Sequence, residues 1–160
     1  MHQPRLATPF DAMEISRLRS ENILSEPLDS GWLARCADQL ALRLRPRGDA
    51  RAYVIDSPTG GLATCALGLI HAVLPAPKYP QGLAVRIHAV ATDPDHRRRG
   101  HARAALAALL DHLERDGVTL YELYASEGSA SLYETLGFTA DPACMRMTRF
   151  PTPAAEESAL

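Results

Sequence analysis

Helix-start signals and the spacing of apolar residues predict two helices near the beginning of the chain. Thr8 precedes Pro9, and this pair is typical of an N-cap followed by the first helical residue, so a helix is expected from about residue 9 into the twenties. A second helix is predicted to begin at Asp29 and to end before Pro46. Its apolar residues recur at helical spacing: Leu33, Cys36, Ala37, Leu40 and Leu44.

Apolar runs separated by turn-forming residues predict strands in the middle of the chain. The runs span residues 51–56, 62–73 and 83–92, and glycines and prolines lie between them. A further strand is predicted over 118–125, and 138–150 is expected to carry one or two more.

The strongest helical pattern covers residues 99–116, where alanine and leucine side chains form one stripe. Gly117 is expected to end this helix, and a shorter helix over 127–136 is expected to end at Gly137. The chain therefore begins with helices, continues with sequential strands and ends with alternating strands and helices. This order predicts an α/β sandwich around a mixed sheet.

Positive charge is concentrated where the helix over 99–116 begins. Arginines fill positions 97–99, ahead of Gly100, and His101 and Arg103 follow. A helix N-terminus already carries about +0.5 of an elementary charge, and each cation beside it costs about 0.3–1 kcal/mol. The cluster predicts a bound anion, held by the cations and by the unpaired backbone N–H groups of the first turn. The alternative is a solvated basic turn after a strand.

Size and composition are those of an ordinary single-domain protein. One domain is expected over 1–150, followed by a loose tail over 151–160. The net charge of −2 makes the arginine cluster local and argues against a nucleic-acid-binding protein. No apolar run approaches the roughly 20 residues of a membrane helix and no secretory signal is recognisable, which predicts a cytoplasmic protein. The histidines and cysteines lack ligand spacing, so no metal is expected.

Two segments resemble motifs of the GNAT superfamily of acetyl-CoA-dependent N-acetyltransferases. Residues 90–102 are similar to its acetyl-CoA motif, Arg/Gln-x-x-Gly-x-Gly/Ala, with Arg97, Gly100 and Ala102 at the defined positions. Residues 132–138, LYETLGF, resemble the late motif L-Y-E-x-L-G-F. The two motifs stand in the usual order, with a predicted strand between them.

The resemblance implies the GNAT fold, an α/β fold in which a mixed, mostly antiparallel sheet of six or seven strands is flanked by about four helices. It also implies acetyl-CoA as co-substrate, with its diphosphate on the backbone N–H groups of about 98–103 and its pantetheine arm on Val90 and Thr92. Ser126 stands where many members have asparagine. The residues expected to bind the cofactor are Val90, Thr92, Arg97, Arg98, Arg99, Gly100, His101, Ala102, Arg103, Ser126 and Ser129.

By the same resemblance, the chain is expected to transfer an acetyl group from acetyl-CoA to an amine by direct attack in a ternary complex. Tyr133 would act as general acid toward the departing thiolate; the alternative is a core aromatic whose hydroxyl bonds to backbone. His88 is the first candidate for the base, because it titrates near neutrality and shares a strand face with Val90 if alternation is regular. A structural histidine is the alternative, and Glu122, Glu127 or a water chain could serve instead.

The acceptor is expected to be a primary amine of a small molecule, an amino acid or a peptide. Trp32 and Tyr79 could pack against it, and Glu26 or Asp29 could hold its ammonium group, although an ordinary structural role fits each of the four. Dimers are common in the superfamily, so a homodimer is an alternative to a monomer.

Two other functions fit the same sequence. A catalytically inactive coenzyme A-binding sensor or regulatory partner would keep the fold without the chemistry. A polyanion-binding module would use the arginines at 97–99, but the isoelectric point of about 6.3 weighs against it.

Overall fold

The computed structural model describes residues 3–150, which form one five-stranded sheet with helices on both faces. The strands stand in chain order, and every neighbouring pair is antiparallel except the last, which is parallel. In this part of the chain no helix is long and apolar enough to cross a membrane. The elements are β1 (Arg5–Leu6), α1 (Ala12–Asn22), α2 (Ser30–Arg43), β2 (Ala50–Asp56), β3 (Leu62–Ala72), β4 (Leu83–Thr92), α3 (His101–Arg115), β5 (Leu120–Leu123) and α4 (Ala130–Thr135).

The predicted helices are present, and local capping explains where they begin and end. Thr8 precedes a short 3-10 turn that leads into α1, and its backbone N–H donates to the Asp11 carboxylate at 2.8 Å. Asp29 caps α2 by accepting a hydrogen bond from the backbone N–H of Trp32 at 2.9 Å. Gly117 follows α3 with a φ of 88°, a left-handed conformation that glycine adopts at low cost.

The strand count differs from the six or seven that were expected, because residues 3–150 contain five strands. Residues 138–150 form no strand: nearly all of them are exposed, and Pro142 interrupts the segment without a backbone N–H to donate. β1 was not predicted, because two residues are too few to show a pattern. It pairs with β2, and Arg5 holds it through ion pairs of 2.9 Å to Asp11 and to Asp56. The tail predicted over 151–160 lies outside the described residues.

Each face of the sheet has its own apolar core. α1 and α2 cover one face, here called the α1/α2 face, and bury Ile15, Leu18 and Leu40 against it. α3 covers the other, here called the α3 face, and buries Leu106 and Leu109.

β4 contains one more residue than the stretch of β3 that it pairs with. Leu67 is opposite Ala89, whereas Gly68 is opposite Ile87, so His88 has no partner in the register. This is a β-bulge, and it changes which residues of β4 face each core. Ile87, before the bulge, packs on the α3 face, and Ala89, directly after it, packs on the α1/α2 face.

β4 and β5 part beside this bulge. Their last paired residues are Ile87 and Leu123, yet β4 continues to Thr92. On the side away from β3, the edge of β4 beyond Ile87 has no strand partner within residues 3–150. A free strand edge offers N–H and C=O groups to an extended ligand.

A substitution at Gly68 tests how tightly the side chains pack opposite the bulge. A Cβ atom at this position would lie 2.8 Å from Cγ2 of Val85 and 3.4 Å from Cδ1 of Ile87, so these side chains would have to move. We expect Gly68→Ala to lower the free energy of unfolding by about 1–3 kcal/mol, measured by urea denaturation. The control is Gly31→Ala in α2, where the added Cβ meets its nearest atom at 3.5 Å and stability should hold or rise. Equal stabilities of G68A and the wild type would contradict tight packing there.

Candidate functional site

An open cleft of about 340 Å³ lies where the end of β4 meets the beginning of α3. Eight of the eleven residues predicted to bind the cofactor line it: Val90, Thr92, Arg97, Arg98, Gly100, His101, Ala102 and Arg103. The remaining lining residues are Asn22, Ala91, His96 and Leu132. The predicted residues Arg99, Ser126 and Ser129 do not line this cleft.

The N-terminus of α3 opens into the cleft without a capping side chain. Gly100 is its N-cap, with a left-handed φ of 76°, and no side chain accepts from the first turn. The helix begins its hydrogen bonding at Ala104, whose N–H donates to the Gly100 carbonyl at 3.0 Å. The N–H groups of Ala102 and Arg103 therefore precede the first N–H that donates within the helix. No atom lies within 4 Å of the position that a Cβ on Gly100 would occupy, so a ligand can approach this backbone closely.

Arg98 adopts a strained backbone conformation beside this helix end. Its φ is 65°, and within residues 3–150 it is the one residue other than glycine with a positive φ. A non-glycine residue in this region costs about 1–3 kcal/mol and persists only where surrounding structure imposes it. The strain is thus located at the wall of the cleft, directly ahead of α3.

Arg97 is held in place from two sides. Its Nε donates to the Thr92 carbonyl at the end of β4, at 3.2 Å, and its Nη2 donates to Oδ1 of Asn22 at 2.7 Å. Asn22 is the last residue of α1, and its own amide donates to the Leu18 carbonyl at 2.9 Å. Sequence reasoning missed Asn22, because an asparagine at a helix end carries no sign of a partner 75 residues away.

Arg103 connects the first turn of α3 to α4. Its Nη1 donates to Oγ1 of Thr135 at 2.5 Å, and that hydroxyl donates to the Leu132 carbonyl at 2.6 Å. Leu132 itself lines the cleft. These two hydrogen bonds therefore link the late motif at 132–138 to the beginning of α3.

Tyr133 lies outside the cleft, next to Leu132, and packs on the α3 face. Its ring meets that of Phe138 edge to face, with centroids 6.0 Å apart. Burial raises the pKa of its phenol, and an interaction with the Ser129 side chain offsets part of that rise. Ser129 also bonds to Ser126, donating to its carbonyl at 2.7 Å. The two serines predicted to bind the cofactor therefore interact with each other and with Tyr133. The phenol of Tyr133 remains protonated at neutral pH.

His88 does not lie where regular alternation places it. The expectation put it on the strand face of Val90, but the bulge shifts the alternation and Val90 packs on the α3 face. His88 lies on the α1/α2 face, exposed, where the charges of Arg19 and Arg86 act on it. Desolvation, followed by these charges, lowers the pKa of its imidazole. The ring is therefore neutral near pH 7, the state in which it can accept a proton.

The expected acceptor-binding residues have mainly local contacts. The Asp29 carboxylate is engaged as the N-cap of α2, and Glu26 is exposed in the preceding loop. Trp32 is 57% exposed, and the Arg35 guanidinium lies over its ring at 4.8 Å. Tyr79 is half-buried in the turn before β4. Within residues 3–150 no three His, Cys, Asp or Glu side chains are grouped so as to hold a metal ion.

The lowered pKa of His88 predicts a pH dependence of stability. In an unfolded chain histidine titrates near about 6.5, so the unfolded state takes up this proton first as the pH falls. Stability associated with neutral His88 is present above about pH 6.5 and is lost as the pH falls toward the folded-state pKa. We expect the free energy of unfolding of the wild type to fall, relative to that of His88→Gln, as the pH is lowered from about 7 to about 5. Urea denaturation of both proteins at each pH measures the difference. Parallel pH profiles for the two proteins would contradict the lowered pKa.

Comparison with known proteins identifies the family and the fold. The profile of the acetyltransferase (GNAT) family matches residues 21–138. The ribosomal protein bS18-alanine N-acetyltransferase of Escherichia coli K12 is 45% identical over 74 residues, 44% of this chain and 49% of that protein. The chain thus spans about half the length of the curated relatives it matches.

Two solved structures share the fold across nearly the whole chain. A GCN5-related N-acetyltransferase from Ralstonia eutropha superposes with a TM-score of 0.76 at 22% identity, over 92% of this chain and 99% of that one. A predicted acetyltransferase from Clostridium acetobutylicum, solved with acetyl-CoA, has a TM-score of 0.77 at 16% identity, over 92% and 96%. Because the family profile covers well over half of the sequence, this chain belongs to the acetyltransferase (GNAT) family.

Proposed function

We propose that the protein transfers an acetyl group from acetyl-CoA to a primary amine of a small molecule, an amino acid or a peptide. The observation that carries this proposal is the uncapped N-terminus of α3, which opens into a cleft lined by Arg97, Arg98 and Arg103 beside the free edge of β4. Family membership supports the same reaction class. A neighbour in the same fold was solved with acetyl-CoA.

The cleft residues fit the chemistry of acetyl-CoA. A diphosphate would accept hydrogen bonds from the backbone N–H groups of Ala102 and Arg103, where the helix dipole favours an anion. Arg98 and Arg103 would supply counter-charge from the rim, since both line the cleft and are exposed. The amide-rich pantetheine arm would extend along the free edge of β4 at Val90. Arg99, Ser126 and Ser129 do not line the cleft, and Ser129 interacts instead with Tyr133.

The acceptor amine would attack the acyl carbon of a thioester. Residues of this chain would donate one proton and accept another during the reaction. As the C–N bond forms and the C–S bond breaks, the departing thiolate takes a proton and the amine nitrogen loses one. Tyr133 would give its phenolic proton to the thiolate, because its raised pKa keeps it protonated beforehand. Tyr133 follows Leu132, which lines the cleft, along α4, and the proposal requires the pantetheine arm to end beside it.

The amine proton would pass to His88 or, through water, to Glu122. His88 stands at the point where β4 and β5 part, and its lowered pKa keeps it neutral. Glu122 is exposed on β5, paired in register with Arg86 of β4, and therefore lies on the same face of the sheet as His88. Both candidates thus lie on the α1/α2 face, whereas Tyr133 packs on the α3 face.

A peptide N-terminus is the acceptor to test first. The Escherichia coli relative is named for acetylating the alanine of ribosomal protein bS18, and one structural neighbour, from Brucella melitensis, is named a ribosomal-protein-alanine N-acetyltransferase. A short peptide beginning with alanine carries the same reacting group. Formation of a homodimer stays a prediction.

Two adjacent arginines allow a matched test of the cofactor site. Arg98 lines the cleft and Arg99 does not, although both are exposed and carry the same charge. We expect Arg98→Glu to weaken acetyl-CoA binding by about tenfold or more, because a charge-assisted hydrogen bond contributes about 1.5–3 kcal/mol. Arg99→Glu should weaken it less, and calorimetric titration with acetyl-CoA measures both. Equal losses would show that only the summed charge of the loop matters.

Replacement of Tyr133 by Phe tests the chemical step. We expect Tyr133→Phe to lower kcat by about 100-fold or more while the Kd for acetyl-CoA stays unchanged, because a positioned proton donor contributes on that scale. Thiol release with an alanine peptide measures turnover. Tyr121→Phe is the control, since that hydroxyl donates to the Val118 carbonyl at 2.6 Å and serves only the fold. A wild type that binds acetyl-CoA but acetylates no amine would identify a sensor instead of an enzyme.

A further inference from the structure

Two arginine side chains meet on one tyrosine ring at the point where β4 and β5 part. The guanidinium carbon of Arg86 lies 4.4 Å from the ring centroid of Tyr124, and that of Arg146 lies 4.0 Å from the same centroid. Tyr124 directly follows β5, one residue beyond the last pair with β4. Residues from three parts of the chain therefore meet at the Tyr124 ring: β4, the end of β5 and the segment 138–150.

The two positive charges are not held in ion pairs, although Glu122 of β5 is paired in register with Arg86. Within residues 3–150 neither Arg86 nor Arg146 forms an ion pair, and the Nε of Arg86 is buried without a hydrogen bond. An unsatisfied buried donor of a charged group is costly, and two like charges on one ring repel each other. The repulsion falls when an anionic group binds beside the guanidinium groups and accepts hydrogen bonds from them.

Further positive charge lies on the same face, in addition to the Glu122 carboxylate of β5. Arg19 of α1 also forms no ion pair within residues 3–150, and its charge acts on His88 together with that of Arg86. The Asp29 carboxylate, which sequence reasoning offered for an ammonium group, is engaged in capping α2. The α1/α2 face at the parting of the strands is therefore suited to an anion on the incoming acceptor.

We propose that Arg86 and Arg146, arranged on Tyr124, bind a carboxylate of the acceptor, so that the enzyme prefers amines that carry a carboxylate close by. The assignment rests on the proposed function, because it treats the α1/α2 face as the acceptor side. Arg86 is two residues from His88 along β4, which corresponds to about 7 Å. The carboxylate comes either from the acceptor's own α-carboxylate or from an acidic side chain at the second position of a peptide.

Matched acceptors separate these two sources. Alanine against alaninamide tests the α-carboxylate, and Ala-Glu-Ala-amide against Ala-Gln-Ala-amide and Ala-Lys-Ala-amide tests the side chain. In at least one series we expect the carboxylate-bearing acceptor to have a kcat/KM about tenfold or more above its neutral partner, the scale of one charge-assisted hydrogen bond. Calorimetric binding of the same acceptors to the protein loaded with coenzyme A gives a readout that does not need turnover.

Variants identify the residues that hold the carboxylate. Arg146→Gln should remove most of the preference, and because Arg146 is exposed this variant is not expected to affect folding. Arg149→Gln is the matched control. Arg149 is exposed on the same segment, and its Nε contacts Sδ of Met147 instead of the Tyr124 ring. Arg86→Glu should reverse the order of the peptides in favour of Ala-Lys-Ala-amide.

The outcomes distinguish this inference from the proposed function. Acetyl transfer that is equal for glutamate and glutamine peptides, and equal for alanine and alaninamide, would overturn the carboxylate site and leave the acetyltransferase in place. A preference that persists in R146Q and R86E would overturn the residue assignment. No transfer to any acceptor, with acetyl-CoA bound, would overturn the proposed function and, with it, the role of this surface as an acceptor site.

Discussion

A single extra residue in β4 determines where both halves of the candidate site lie. Because His88 has no partner in β3, the strand changes direction there and its pairing with β5 ends one residue earlier, at Ile87. The edge of β4 beyond that point is then free, and it leads directly to the N-terminus of α3. The same bulge turns His88 toward the α1/α2 face while Val90 faces α3.

The beginning of α3 combines features that each oppose stability. Arginines surround a positive helix end, no side chain caps it, and Arg98 has a left-handed φ of 65°. Fixed contacts hold the arrangement: Arg97 to Asn22 and to the Thr92 carbonyl, and Arg103 to Thr135. These specific hydrogen bonds hold the helix end open where a capping side chain would be more stable, and this supports the proposal that an anion binds there.

The features that could be predicted from the sequence are those that depend on residues close together in the chain. Thr8 and Asp29 marked helix starts, the stripe over 99–116 marked α3, and most residues of the arginine motif line the cleft. The bulge at His88 could not be predicted, since it follows from register between strands and leaves the apolar pattern of β4 intact. Asn22 and the Arg86–Tyr124–Arg146 group were missed for the same reason, because their partners are distant in the chain. Strands expected over 138–150 are absent, since an apolar pattern alone provides no pairing partner.

α1 is the element that relates the two faces of the site. Its Glu14 accepts the backbone N–H of Leu62 at the start of β3 at 2.9 Å, and its Arg17 reaches Asp93, at the start of the loop that leads to α3, at 3.4 Å. Its last residue, Asn22, holds Arg97 in the cleft, while Arg19 contributes positive charge on the α1/α2 face. A displacement of α1 would therefore change the cleft and the proposed acceptor surface together.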